Sequence, residues 1–362
     1  MCCFMEILPN RKVLTHKMNI DKPSIKKILL IKLRGIGDVI LSTVVLENIK
    51  REFPSAQIHF LTQKPSDQLI QDLPEINKVL LFDRKDLLGR IQLIRNVRKE
   101  RYDLVIDFYT NPFTAQVTFL SGAKLRAGFP YRGRKYAYNL YGVEERGKYH
   151  AADLHLEFIK KLGIETSSNL MKCDPGSAAE KFAKDFIANN FPKEKLVAGI
   201  SPSGSWTSKK VPPEIFAEIA DRVKLKYDCE ILIVWGPEDE TECNQIINSI
   251  KTKAVKAPST SIKEMAALCG KVDFLIANDS GPMHIATALE TPVLSIHGPT
   301  DPKLQGPYQS KHEWINKSDL HCIICNLTEC PYNQECFREL PVEDVIQKID
   351  TLLQKNDLLR KV

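Results

Sequence analysis

Hydrophobic positions along this chain alternate between short solid runs and longer stretches at helical spacing. Residues 26–33 read KKILLIKL, an apolar run of strand length, followed by RGIGD and then VILSTVVLENIKREF, where Val39, Ile40, Val44 and Ile49 recur at helical intervals. The pattern predicts a strand, a glycine turn and a helix. AQIHFLT, KVLLFD and YDLVIDF read as further strands, with helical stretches around Leu69 and from Leu87 to Lys99 and another strand near Ala123 to Gly128. Repeated alternation of this kind predicts an α/β fold with a parallel sheet covered on both faces.

From Lys161 to Lys195 the pattern weakens into Gly, Thr, Ser, Asn and Pro with one helix-like insertion, which marks a connection. A second series follows. Its strands are LVAGISP, CEILIVWG, VDFLIAND and PVLSIHGP, with helices near Pro213 to Tyr227, Glu240 to Lys251, Ile262 to Cys269 and Pro282 to Leu289. The last stretch, VEDVIQKIDTLLQK, is expected to pack back as a helix. The organisation expected is a leader over 1–25, one α/β domain over 26–170, a connection over 171–195, a second α/β domain over 196–345 and a closing helix over 346–362. No sequence repeat relates the halves, yet each carries a glycine-containing loop at the carboxyl end of a strand, where open α/β sheets bind ligands.

Composition agrees with two globular domains: 362 residues, 43% apolar and 27% charged. The net charge of +6 comes from interspersed Lys and Arg, which favours phosphorylated substrates or lipid head groups. Nucleic acid is not an expected partner, because no nucleic-acid-binding module accompanies the charge. Apolar runs are broken well short of a membrane span. The apolar part of the leader, Cys2 to Leu8, contains Glu6 and no cleavage site follows it, so a cytoplasmic protein is expected, with the basic charge drawing it to the inner face of the inner membrane. Cys2 and Cys3 read as part of a ragged leader rather than a lipid anchor, and Met18 is an alternative start. Six of the ten cysteines are scattered, as reduced buried thiols are.

The loop Arg34, Gly35, Ile36, Gly37, Asp38 is half a dinucleotide fingerprint. Ile40 stands at the third glycine position and the next strand ends at Thr62 and Gln63 without an acid, so NAD and a nucleotide-dependent oxidoreductase are disfavoured. Asp38 either caps the helix or serves as a general base for a hydroxyl in the cleft. In Ala277 to His284, a strand delivers Asp279, Ser280 and Gly281 to a helix with Pro282 in its first turn, a site suited to a diphosphate. His284 is either packed in that helix or part of the phosphate loop. Ser201 to Lys210 supplies hydroxyls and two ammonium groups, and Glu238 could accept hydrogen bonds from sugar hydroxyls.

Together KILLIKLRGIGDVILSTVVL, SPSGSWTSKKVPPE, WGPEDE and ANDSGPMHIATALETPVLSIHGPTDP resemble the glycosyltransferase family 9 heptosyltransferases, over about Lys26 to Leu353. The resemblance implies a GT-B fold, two Rossmann-like domains facing across a central cleft. It implies an inverting, metal-independent enzyme without cofactor, moving heptose from ADP-heptose to a lipopolysaccharide core precursor. It further implies that Asp38 is the base, that Lys209 meets the donor phosphates with Ser205 in the same loop, and that Glu238 contacts the donor nucleoside. Asp279, Ser280, Gly281 and His284 then form the diphosphate loop, and Gly37 lies on the acceptor side. Two departures touch the donor pocket: SGSW replaces the paired threonines of several such enzymes, and Val211 stands where tryptophan is usual. A family member using another nucleotide sugar or glycan acceptor, and a non-catalytic sugar-nucleotide-binding protein, are the alternatives.

Two features remain. Lys124, Arg126, Arg132, Arg134 and Lys135 interleave with Tyr131, Tyr136 and Tyr138, a basic and aromatic surface expected to face the acceptor. Cys322, Cys325, Cys330 and Cys336 form C-x2-C-x4-C-x5-C beside His321; the spacing invites a zinc reading, with unligated thiols as the default expectation.

Overall fold

A computed structural model describes residues 22–84 and 86–361. Cys2, Cys3 and Met18, and with them most of the expected leader, lie outside the described residues. The chain forms two six-stranded parallel sheets. The first contains β1 (Lys27–Ile31), β2 (Gln57–Thr62), β3 (Lys78–Leu81), β4 (Leu104–Asp107), β5 (Leu125–Gly128) and β6 (Leu140–Tyr141), in the order β3-β2-β1-β4-β5-β6. The second contains β7 (Val197–Ser201), β8 (Glu230–Ile233), β9 (Val255–Lys256), β10 (Phe274–Asn278), β11 (Val293–His297) and β12 (Glu313–Asn316), in the order β12-β11-β10-β7-β8-β9.

Both sheets are wound identically. Each starts at its centre, runs outward one way and then crosses to the other side, so each has a switch point beside its first strand: β1 against β4, and β7 against β10. The central strands are apolar on both faces because helices cover both. Ile28 to Ile31 and Phe274 to Asn278 are fully buried. Two-residue β6 and β9, and β12, were not legible from the hydrophobic pattern. They are edge strands, and only Ile315 of β12 is buried.

The connection expected over 171–195 carries defined structure. Residues 167–174 are strapped to the first domain: the Ser167 and Ser168 amides donate to Asn48 Oδ1, and the Lys172 amide to Thr43 Oγ1 at 2.7 Å. The helix-like insertion is a full helix, Ser177–Asn190, packed on helix Ile262–Cys269 beside the second sheet. The last long helix, Val342–Lys355, also packs there, against helix Pro213–Tyr227 and β12. Tyr227 and Lys226 both bond its Asp350, and Arg222 pairs with its Glu343.

The two halves meet where their glycine loops meet. Helix Ile36–Ser42, after β1, packs against helix Gly281–Ala288, after β10. A Cβ added to Gly37 would stand 2.4 Å from His284 Cδ2, so only glycine permits this approach. Further ties cross the gap: His150 stacks on Tyr308 at 4.9 Å, and Lys263 pairs with Asp72 at 2.6 Å. Among the described residues no helix is long and apolar enough to cross a membrane.

Candidate active site

The carboxyl end of β1 carries Lys32, then the turn at Gly35, whose φ of 80° is the left-handed conformation that glycine tolerates. Gly35 is the N-cap of helix Ile36–Ser42 and no side chain caps it, so the capping role considered for Asp38 is not the one observed. Asp38 instead lies in the first helical turn with its side chain 53% exposed, paired at 3.1 Å with the ammonium of Lys32, which is 6% exposed. A buried cation thus fixes an open carboxylate. Sequence reasoning missed Lys32; the available signal was a lone charge closing an otherwise apolar strand. Beside Asp38, the partly buried Tyr109 has its hydroxyl pKa pushed up by burial and lies within the fields of Arg34, Asp38 and Arg84.

On the facing half, the loop after β7 brings Lys209 to Asp279 at 2.7 Å, with the ammonium also over the Trp206 ring at 4.5 Å from its centroid. Asp279 is buried at the end of β10 and accepts a second bond from Thr300 Oγ1 at 2.7 Å. Burial opposes ionisation of Asp279, yet the adjacent Lys209 ammonium holds its carboxyl below the ordinary range. Ser280 is the N-cap of helix Gly281–Ala288 without a capping bond, and its buried hydroxyl makes no hydrogen bond. First-turn amides of a helix have no intrahelical partners, so this end presents donors to a ligand. Lys210 is engaged elsewhere, with Glu242 at 2.6 Å and Asp239 at 3.0 Å, while Ser203 donates to Asp239 at 2.7 Å.

Between these walls lies a cavity of about 680 Å3. Gly37 and Asp38 line one side; Ser205, Lys209, Glu238, Asp279, Ser280, Gly281 and His284 line the other. Arg126, Arg132, Arg134 and Lys135 do not line it. Arg126 is tied into the scaffold, donating from Nε to Ala137 O at 2.9 Å and from a terminal nitrogen to Ala123 O at 2.6 Å. Tyr138, expected at that surface, is buried and donates to Asp107 at 2.8 Å. Arg134 sits over Tyr131, and Arg132 and Lys135 are exposed. Val211 is likewise not a lining residue: it is buried, with its amide donating to Asn278 Oδ1.

A match to the family model described as glycosyltransferase family 9 (heptosyltransferase) covers residues 90–335. The chain is 27% identical to lipooligosaccharide heptosyltransferase 2 of Campylobacter jejuni, across 89% of this chain and 97% of that protein. Its fold is similar to that of a glycosyl transferase family 9 protein from Veillonella parvula, with a TM-score of 0.84 at 23% identity, covering 93% of this chain and 99% of that one. It is also similar in fold to the E. coli heptosyltransferase WaaC, solved with ADP, with a TM-score of 0.69 at 19% identity, covering 90% and 99% respectively. These neighbours share the GT-B arrangement of two Rossmann-like domains.

The histidines at the site are neutral. Burial pushes His284 and His297 down to about 4 from the ordinary 6.5, against the opposing pull of Asp279. Between those values the unfolded chain binds protons that the folded chain refuses, so stability should fall as pH drops from 6.5 towards 4. The loss amounts to at most about 1.4 kcal/mol per pH unit for each histidine. Urea unfolding at pH 7, 6 and 5 should show a progressively lower midpoint, with a shallower dependence in His284→Gln. A midpoint independent of pH over that range would contradict the neutral, buried assignment.

Proposed function

The chain belongs to glycosyltransferase family 9 (heptosyltransferase), and on that premise we propose that it moves a heptose from ADP-heptose to a lipopolysaccharide core precursor, inverting the anomeric centre without a metal in the chemistry. The observation that carries this reading is the placement of Asp38 and Lys209 on opposite walls of one cavity. Direct displacement needs a base for the attacking hydroxyl on one side and charge stabilisation for the departing diphosphate on the other. Asp38 is open to solvent and held by Lys32, so it can take the acceptor proton. Lys209 and the amides at the start of helix Gly281–Ala288 take up charge on the ADP leaving group.

Asp279 acts through Lys209. An ionised carboxylate does not itself ligand a diphosphate, but it orients the ammonium that does, and Thr300 fixes the carboxylate in turn. Being neutral, His284 packs the donor loop onto Gly37 instead of adding charge. Lining the same cavity, Glu238 accepts from hydroxyl groups of the donor nucleoside and Ser205 bonds the donor within the Lys209 loop. Arg34 interacts with Tyr109, which in turn lies within the field of Asp38, and this pair is available to an acidic acceptor. Arg132, Arg134 and Lys135 serve outside the cavity, at the acceptor's phosphorylated periphery. Helix Leu87–Glu100 exposes Leu87, Leu88 and Ile91 among Arg95 and Lys99, which suits shallow contact with an anionic leaflet.

Transfer from ADP-heptose should yield product of opposite anomeric configuration by NMR with EDTA present in the assay; retention, or an immediate loss of turnover that added magnesium restores, would contradict the mechanism. Asp38→Asn should lower kcat by about a hundred- to ten-thousand-fold while ADP affinity holds. Lys209→Met should weaken ADP binding by roughly 10- to 100-fold, the worth of a charge-assisted bond. Unchanged turnover in Asp38→Asn would remove it as base. Phosphatidylglycerol vesicles should retain the protein at low salt and release Leu87→Ser/Leu88→Ser; equal retention of both would discard that helix as the contact.

A further inference from the structure

The catalytic reading leaves unused the cysteine run from Cys322 to Cys336. It forms a turn-rich excursion between β12 and the closing helix, with one short helix, Glu335–Arg338. The other described cysteines belong to separate elements: Cys173 in the connection, Cys229 before β8, Cys243 within a helix and Cys269 at the end of another, with Cys173 and Cys269 near one another. These four converge instead. Cys322, Cys325, Cys330 and Cys336 line one hollow of about 10 Å3, room for a single ion and little more.

The surroundings of the hollow suit soft-metal ligation. Cys330 Sγ accepts the amides of Tyr332 at 3.4 Å and Gln334 at 3.3 Å, bonds that fix the sulfur's position in the turn. Cys336 is pressed against Gly298, where a Cβ would come within 2.6 Å of its sulfur. At the rim a ring nitrogen of His321, Cys322 Sγ and a Glu335 carboxylate oxygen lie within 4.8 Å of one another. Ligand atoms around tetrahedral zinc stand roughly 3.3–3.8 Å apart, so a metal here draws closer the four sulfurs that already line one hollow. None of the four sulfurs is bonded to another.

What this segment holds is the Lys209 loop. Between Cys325 and Cys330, the Leu327 carbonyl accepts from Ser208 Oγ at 2.6 Å and the Thr328 carbonyl from Thr207 Oγ1 at 3.1 Å. Between Cys330 and Cys336, Gln334 Nε2 donates to Lys210 O at 2.8 Å and Thr207 O at 3.0 Å. The two longer stretches between successive cysteines therefore grip neighbours of Lys209, and Ser208 itself borders the hollow.

We propose that Cys322, Cys325, Cys330 and Cys336 bind a tetrahedral, thiolate-ligated divalent metal, zinc or ferrous iron, that fixes this segment and through it the Lys209 loop. The metal is structural and stands apart from the transfer chemistry. Its uptake displaces the thiol protons to solvent and involves no change of oxidation state.

Protein purified without chelator under reducing conditions should contain one metal per chain, and elemental analysis distinguishes zinc from iron. Cobalt-exchanged wild-type protein should show a thiolate-to-cobalt charge-transfer band, lost in Cys325→Ser and Cys330→Ser. Stripping the metal should weaken ADP binding by roughly tenfold. That last readout rests on the donor role of Lys209, whereas metal content and the cobalt spectrum do not. Trace metal with no cobalt band in the wild-type protein, or a disulfide among these cysteines in a non-reducing peptide map, would overturn the site. A bound, removable metal with no effect on ADP affinity would overturn its hold on the loop.

Discussion

The ion pair between Lys209 and Asp279 is the interaction around which the second half of the molecule is arranged. Both groups are largely withdrawn from water, with side chains 13% and 6% exposed. A pair so placed costs desolvation on each side, and removing one partner strands the other, typically at about 3–5 kcal/mol. The fold offsets that cost with neighbours from several strands. β10 delivers Asp279, the loop after β11 delivers Thr300, and Trp206 lays its ring against the ammonium. The pair holds an ammonium in a fixed position at the mouth of a helix, in a place where water gives it little competition.

Duplicated winding explains why this charge faces a base. Each sheet opens its ligand-binding crevice at the carboxyl ends of strands beside its switch point. When two such sheets face one another, the loop after β1 and the loop after β10 become opposite walls of one cavity. The approach is close enough that Gly37 has no side chain to spare: the His284 ring takes the space. That contact fixes how near the carboxylate of Asp38 can come to a sugar held by the facing loops. The buried Lys32 holds the carboxylate, which lies beside the N-cap Gly35 and lines the cavity.

Much of this was legible in the chain. Solid apolar runs marked the central strands because helices on both faces demand apolar residues at every position, and the GD and DSGPMH loops stood out as glycine and proline turns directly after such runs. Edge strands β6, β9 and β12 were not legible, since half-buried strands need no apolar run. The Lys32 pairing was missed because an ion pair depends on where a turn folds back, which periodicity does not report. Arg126 and Tyr138 misled for the same reason: their composition suits a recognition surface, but three-dimensional neighbours claim Arg126 for two carbonyls and Tyr138 for Asp107. His284 was left open between packing and phosphate binding. Its burial decides its charge, and burial is a property of the assembled pair of domains.

The central claim is that the cavity receives a nucleoside diphosphate through its Lys209 wall. Calorimetric titration of the purified protein with ADP, UDP and NAD in parallel, with and without brief exposure to EDTA, tests it most directly. The account predicts preferential binding of ADP that survives EDTA in the titration. Binding of NAD alone, or of no nucleotide, would contradict it.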